Sequence, residues 1–154
     1  MNKLLLSAAI SAVFPLVASA DEAALAKQLE TGKMSYMMCA ACHGMDAKGV
    51  QAGPTLMAPS LVGSKVALAD PSVMALVILK GIQKEGAEYL GVMAPLGAAL
   101  DDEKLAAVMT YVRNSFDNKA SAVTTEEAAK YREQWKDINA PVTRAKIAEL
   151  LEKK

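Results

Sequence analysis

Apolar positions recur at helical spacing along most of the chain, separated by short stretches rich in Gly and Pro. A first helix is predicted over about Asp21 to Cys39, with Gly32 and Tyr36 four apart on one face. In "DPSVMALVILKGIQ", Asp70 is an N-cap, Pro71 takes the first helical position and Gly81 closes the helix. Val73, Leu76, Val77 and Lys80 form its stripe. In "DDEKLAAVMTYVRNSFDN", acidic residues fill the first turn and Arg113 the last, as the helix dipole favours. Leu105, Val108, Tyr111 and Val112 share one face of it. No useful strand alternation occurs, so the fold class is all-α.

The tail after Asn118 reads as separate. "KASA" is a linker, and Thr124 with Glu127 makes a capping box. Ala128, Tyr131, Trp135 and Ile138 follow as an apolar stripe. Pro141 interrupts, and Thr143 caps a last helix through "RAKIAELLEKK". The expectation is a helical hairpin, either folded back on the domain or serving as a partner-docking arm. The organisation is therefore a leader over residues 1–20, a domain over 21–118 and a helical extension over 119–154.

The leader reading rests on "MNKLLLSAAISAVFPLVASA". Lys3 precedes an apolar run from Leu4 to Val17, and Ala18-Ser19-Ala20 forms a small-x-small cleavage site before Asp21-Glu22. The run is short for a membrane span and lacks a stop-transfer pattern, which sets it apart from a retained anchor. No membrane span is expected in the mature chain. The reading implies export, and the expected location is the periplasm.

The 17 basic and 17 acidic side chains balance, with no basic block and no basic–aromatic interleaving. That argues against nucleic acid as a partner. Large side chains are scarce: two Phe, four Tyr and one Trp. A bound apolar cofactor would supply the missing bulk.

The chemistry is concentrated in "CAACHG". Cys39, Cys42 and His43 include both cysteines and the single histidine of the chain. A redox dithiol of the thioredoxin kind needs a strand before the first cysteine, and the preceding residues look helical. A structural zinc site needs four ligands, and no further Cys or His exists. Cys-x-x-Cys-His is the pattern for covalent attachment of a c-type haem. On one helical turn all three side chains share a face. The two sulfurs can form thioethers to the two vinyl groups while the imidazole binds the iron. Gly44 removes bulk beside the ring.

Ligation by two histidines is excluded, which leaves methionine as the common sixth ligand. Met34, Met37, Met38 and Met45 crowd the proximal side, and Met74 and Met109 fall in helical runs. Met57 and Met93 lie in loops. Met93, bracketed by Gly91, Pro95 and Gly97, is favoured; Met57 comes second and an open site third.

These residues resemble class I monohaem cytochromes c, in particular the small bacterial periplasmic ones. The likeness spans about Leu29 to Asn118, through "GKMSYMMCAACHG", "KGVQAGPTLMAPSLVGS", "SVMALVILKGI" and "GVMAPLGAALDDEKLAAVMTYVRNSF". It implies a cytochrome c fold of helices wrapped around one covalently attached haem. The first and last core helices would cross, bringing Gly32 and Tyr36 against Leu105, Val108 and Tyr111. It also implies Cys39 and Cys42 as thioether sites, His43 as proximal and Met93 as distal iron ligand, and a proline carbonyl, Pro59 ahead of Pro54, as acceptor for the proximal imidazole.

The function so implied is single-electron transfer rather than catalysis, by a monomer meeting redox protein partners: a dehydrogenase as donor and an oxidase or other acceptor. The haem edge is expected near Met57-Ala58 and Val92-Met93-Ala94, rimmed by Lys48, Lys65 and Lys84. Rival readings are a haem subunit of a larger dehydrogenase or oxidase complex, and an open-site haem enzyme or gas sensor.

Overall fold

The computed structural model describes residues 20–86 and 89–153. The predicted leader lies outside the described residues except for Ala20, where the first helix begins. The elements in order are α1 (Ala20–His43), β1 (Gln51–Ala52), β2 (Thr55–Leu56), α2 (Lys65–Leu68), α3 (Pro71–Lys80), α4 (Asp102–Asn114), α5 (Thr125–Gln134) and α6 (Arg144–Glu152). The architecture is all-α apart from the two-residue antiparallel strands β1 and β2, which pair within the loop after His43. Among the described residues no helix is long and apolar enough to cross a membrane.

The predicted caps are in place. Asp70 accepts from the Ser72 amide, Asp101 from the Lys104 amide, and Thr124 and Glu127 bond reciprocally. Each satisfies amides that a helix start leaves without partners. The first helix runs four residues beyond expectation, so Cys39, Cys42 and His43 all stand on α1 itself.

The stripe assigned to α3 is too narrow. Every residue from Ser72 to Leu79 is buried, because α2, α4, α5 and α6 all pack on this helix. A helix apolar on all sides has no solvent face to offer.

α1 and α4 cross at Gly32. A Cβ there would stand 2.1 Å from the Ala107 carbonyl oxygen and 2.6 Å from Tyr111 Cβ. Beyond the crossing, Tyr36 meets Tyr111 and Phe116 with ring centroids 5.5 and 5.3 Å apart. Leu105 and Val108 are fully buried in the same core as Tyr36. The direct neighbours of Gly32 are thus Ala107 and Tyr111.

The extension is not a hairpin of paired helices. α5 lies on α3 and α4, whereas α6 lies on α2 and α3, and the two do not pack on each other. The Trp135 indole donates to the Ser72 carbonyl at 2.8 Å, and Arg132 reaches Asp102, the Gly97 carbonyl and the Leu100 carbonyl. Of the two tail readings, the packed-back one describes the structure.

Candidate haem site

The Cys-x-x-Cys-His segment ends α1 in a hydrogen-bonded turn. The Gly44 amide donates to the Ala40 carbonyl at 2.9 Å, Val50 to Cys42 at 2.9 Å and Gly49 to His43 at 2.8 Å. The Tyr36 hydroxyl donates to the Gly44 carbonyl at 2.8 Å. The last carbonyls of the helix therefore have partners, and the turn carrying Cys42 and His43 is held from several sides. Gly44 has φ of +78°. It lets the chain leave the helix in the left-handed region, a reason that stands beside the lack of bulk expected for it.

Cys39, His43, Met57, Pro59 and Met93 all line one cavity, whereas Cys42 stands outside its wall. The cavity holds about 1080 Å³ of non-protein space, counting its open mouth. Most of the remaining wall is aliphatic, including Leu61, Val77, Ile78, Val108 and Val112. That suits a large flat apolar ligand. Cys39 and Cys42 are not joined in a disulfide, and burial pushes the Cys39 thiol up to about 11. Among the described residues no cluster of three His, Cys, Asp or Glu forms an alternative metal site.

His43 is buried, and its Nδ1 lies 3.0 Å from the Pro59 carbonyl oxygen. Burial lowers the imidazole pKa, opposed by that hydrogen bond. The neutral ring this favours is the form that binds metal.

Met93 belongs to a small backbone ladder. Its amide donates to the Ile82 carbonyl at 3.0 Å, and the Ile82 amide donates to the Met93 carbonyl at 2.9 Å. On the other side of Ile82, the Val142 amide donates to the Gly81 carbonyl and the Gln83 amide to the Val142 carbonyl, both at 3.0 Å. Gly81 has φ of +73°, and a Cβ there would stand 2.3 Å from the Met93 carbonyl oxygen. Only glycine meets both demands. Met57 is bonded elsewhere, its amide donating to Val50 at 2.8 Å, two residues before Pro59. Met34, Met37, Met38 and Met45 are exposed, Met109 is fully buried, and Met74 is buried while also lining the cavity.

Sequence reasoning missed several supports. Arg113, read as a dipole partner, is 2% exposed and donates to the carbonyls of Ala67, Ala69 and Ser121. Asn118 ties Leu61 and Gly63 to Val112. Arg144 and Ile147 of α6 line the cavity. An arginine inside the apolar run "VMTYVRNSF" was the visible signal for Arg113. Nothing local marks the others, most of whose partners lie far along the chain.

The sequence model of the cytochrome c family matches residues 29–116, more than half of the chain, and this protein belongs to that family. Its cofactor is a covalently bound haem c, for which Cys39, Cys42 and His43 have the required spacing. No curated protein matches the chain.

Proposed function

We propose that the protein is an exported, periplasmic one-electron carrier whose haem iron is held by His43 and Met93. The observation that carries this reading is the double hydrogen bond between Met93 and Ile82, which fixes the methionine backbone on the wall of the cavity that also holds His43. Met57 also lines the cavity. Its segment, however, leads straight into Pro59, whose carbonyl occupies the far nitrogen of the His43 ring. The two methionines therefore belong to different walls of support, and Met93 is the one tied to α3 rather than to the His43 loop.

When bound, the haem supplies a one-electron ferric/ferrous couple. With both axial positions filled, no position is left for substrate, which favours a carrier over an enzyme or gas sensor. The protein holds the imidazole ring through Pro59, while the aliphatic side chains exclude water and so favour the less charged ferrous state. Val92 and Leu90, 56% and 47% exposed, give a small apolar patch beside Met93. Lys48, Lys65 and Lys84 are exposed as well. A patch of this size suits a small, short-lived contact between a monomer and a redox protein partner. The leader-like residues before Asp21 support export.

The test is the optical spectrum of the holoprotein in the ferric state, and in the ferrous state with and without carbon monoxide. The expected result is a ferric far-red thioether-to-iron band that is lost in Met93→Ala, kept in Met57→Ala, with no carbon monoxide binding to the native ferrous protein. A high-spin ferric spectrum with ready carbon monoxide binding would overturn the carrier reading.

A further inference from the structure

The cavity wall contains one guanidinium, that of Arg144, from outside the matched residues 29–116. Its backbone amide donates to Glu85 Oε2 at 3.1 Å. Its Nη1 donates to the same oxygen at 3.0 Å and to the Gly91 carbonyl at 3.3 Å. A guanidinium carries five N–H donors in a planar fork. The donors on Nε and Nη2 reach no acceptor among the described residues. Tyr89 lines the same cavity, and its hydroxyl likewise has no hydrogen bond among the described residues.

Haem is apolar over most of its area but carries two propionate carboxylates. A carboxylate against an aliphatic wall is costly unless it is paired and hydrogen-bonded. The strongest partner for it is the planar edge of an arginine. Glu85 engages Nη1 and so anchors the side chain in place, leaving the opposite edge for a second carboxylate.

We propose that Arg144 binds a haem propionate through Nε and Nη2, with the Tyr89 hydroxyl as a second donor. The C-terminal extension is then part of the haem site. This rests on haem binding and not on the identity of the sixth ligand, so the far-red band reports the ligation separately. A cation beside the propionate keeps the propionate ionised and offsets its preference for ferric iron. Among the described residues the charged group facing Arg144 is Glu85; on its own helix, Lys146 and Glu149 are engaged with each other.

The experiment is spectroelectrochemical titration of the holoprotein from roughly pH 5 to 9, the span in which a paired propionate stays charged and an unpaired one titrates. In Arg144→Gln the midpoint potential should fall at the alkaline end, read as a several-fold higher ferric-to-ferrous ratio at one fixed electrode potential. It should converge on the native value toward acid, where the unpaired propionate takes up a proton. Arg144→Lys should keep most of the native potential. The double variant Glu85→Gln/Arg144→Gln should retain the acid convergence, which assigns it to the propionate. The proposal is overturned if Arg144→Gln tracks the native protein at every pH, or if convergence disappears in the double variant. Should Arg144→Gln fail to accumulate as holoprotein, the native titration decides: a flat potential or a fall of the size one titrating propionate gives supports the pairing, and a fall showing two propionates titrating refutes it.

Discussion

His43 Nδ1 and the Pro59 carbonyl oxygen lie 3.0 Å apart across sixteen residues of chain. Were Nε2 to hold the iron, Nδ1 would keep its proton and donate it to that carbonyl, which would orient the ring and raise its basicity. Pro59→Ala keeps the oxygen but frees φ, at a cost of about 0.4–1 kcal/mol of stability through the unfolded chain. A looser hydrogen bond makes the imidazole a weaker donor to ferric iron. The reduction potential should rise, and the His43 ring N–H should exchange faster by NMR; slower exchange would contradict this role for Pro59.

At Gly32 two effects of opposite sign compete. Alanine favours a helix interior over glycine by about 1 kcal/mol. The new methyl, however, meets the Ala107 carbonyl at 2.1 Å, and that oxygen is backbone that cannot swing away. Overpacking of this kind costs about 1–3 kcal/mol. Gly32→Ala should therefore lower the denaturant midpoint, and a higher midpoint would show that α1 and α4 separate freely.

Arg113→Ala removes a buried guanidinium that serves three backbone carbonyls, of which the bond to Ala67 is buried and those to Ala69 and Ser121 are partly buried. Each buried acceptor left without a partner costs about 1–3 kcal/mol. The expected loss is about 1–3 kcal/mol, the cost of leaving the Ala67 carbonyl without a partner, measured by thermal unfolding. Arg113→Lys should recover little of it, since an ammonium lacks the planar fork that spans these oxygens.

Glu85 carries a carboxyl held below its ordinary range, chiefly by hydrogen bonds from the Arg144 amide and guanidinium. A depressed carboxylate contributes stability above its unfolded pKa, near 4.3, and loses it as pH falls through the lower folded value. The thermal midpoint of Glu85→Gln should lie below native at neutral pH and approach it as pH falls below the ordinary carboxylate range. A gap that persists unchanged into acid would mean the carboxylate charge does nothing for the docking of α6.

What the sequence disclosed follows the range of the interactions. The caps at Asp70, Asp101 and Thr124 were legible because side chain and amide are two or three residues apart. Cys39, Cys42 and His43 were legible because one helical turn contains the whole pattern. The closeness of Gly32 to the α4 backbone and of His43 to Pro59 came only through resemblance to a family. Arg144 stayed hidden because its partners, Glu85 and the Gly91 carbonyl, are 59 and 53 residues away. The boundary drawn at Asn118 marks a change in composition, yet Val142 shares backbone hydrogen bonds with Gly81 and Gln83. The supposed hairpin failed for the same reason: α3, buried on every side, draws α5 and α6 to itself rather than to each other.

The Cys39 thiol also constrains the order of assembly. Joining sulfur to a vinyl carbon needs the thiolate. With the group pushed up to about 11 in the folded chain, only about one sulfur in ten thousand is ionised at pH 7. A chain that closes before it is loaded has therefore silenced one of its own attachment points. Haem offered to the chain in denaturant should become covalently joined faster than haem offered after folding. Biogenesis then becomes a race between ligation and collapse, and an unloaded molecule is a product of losing it.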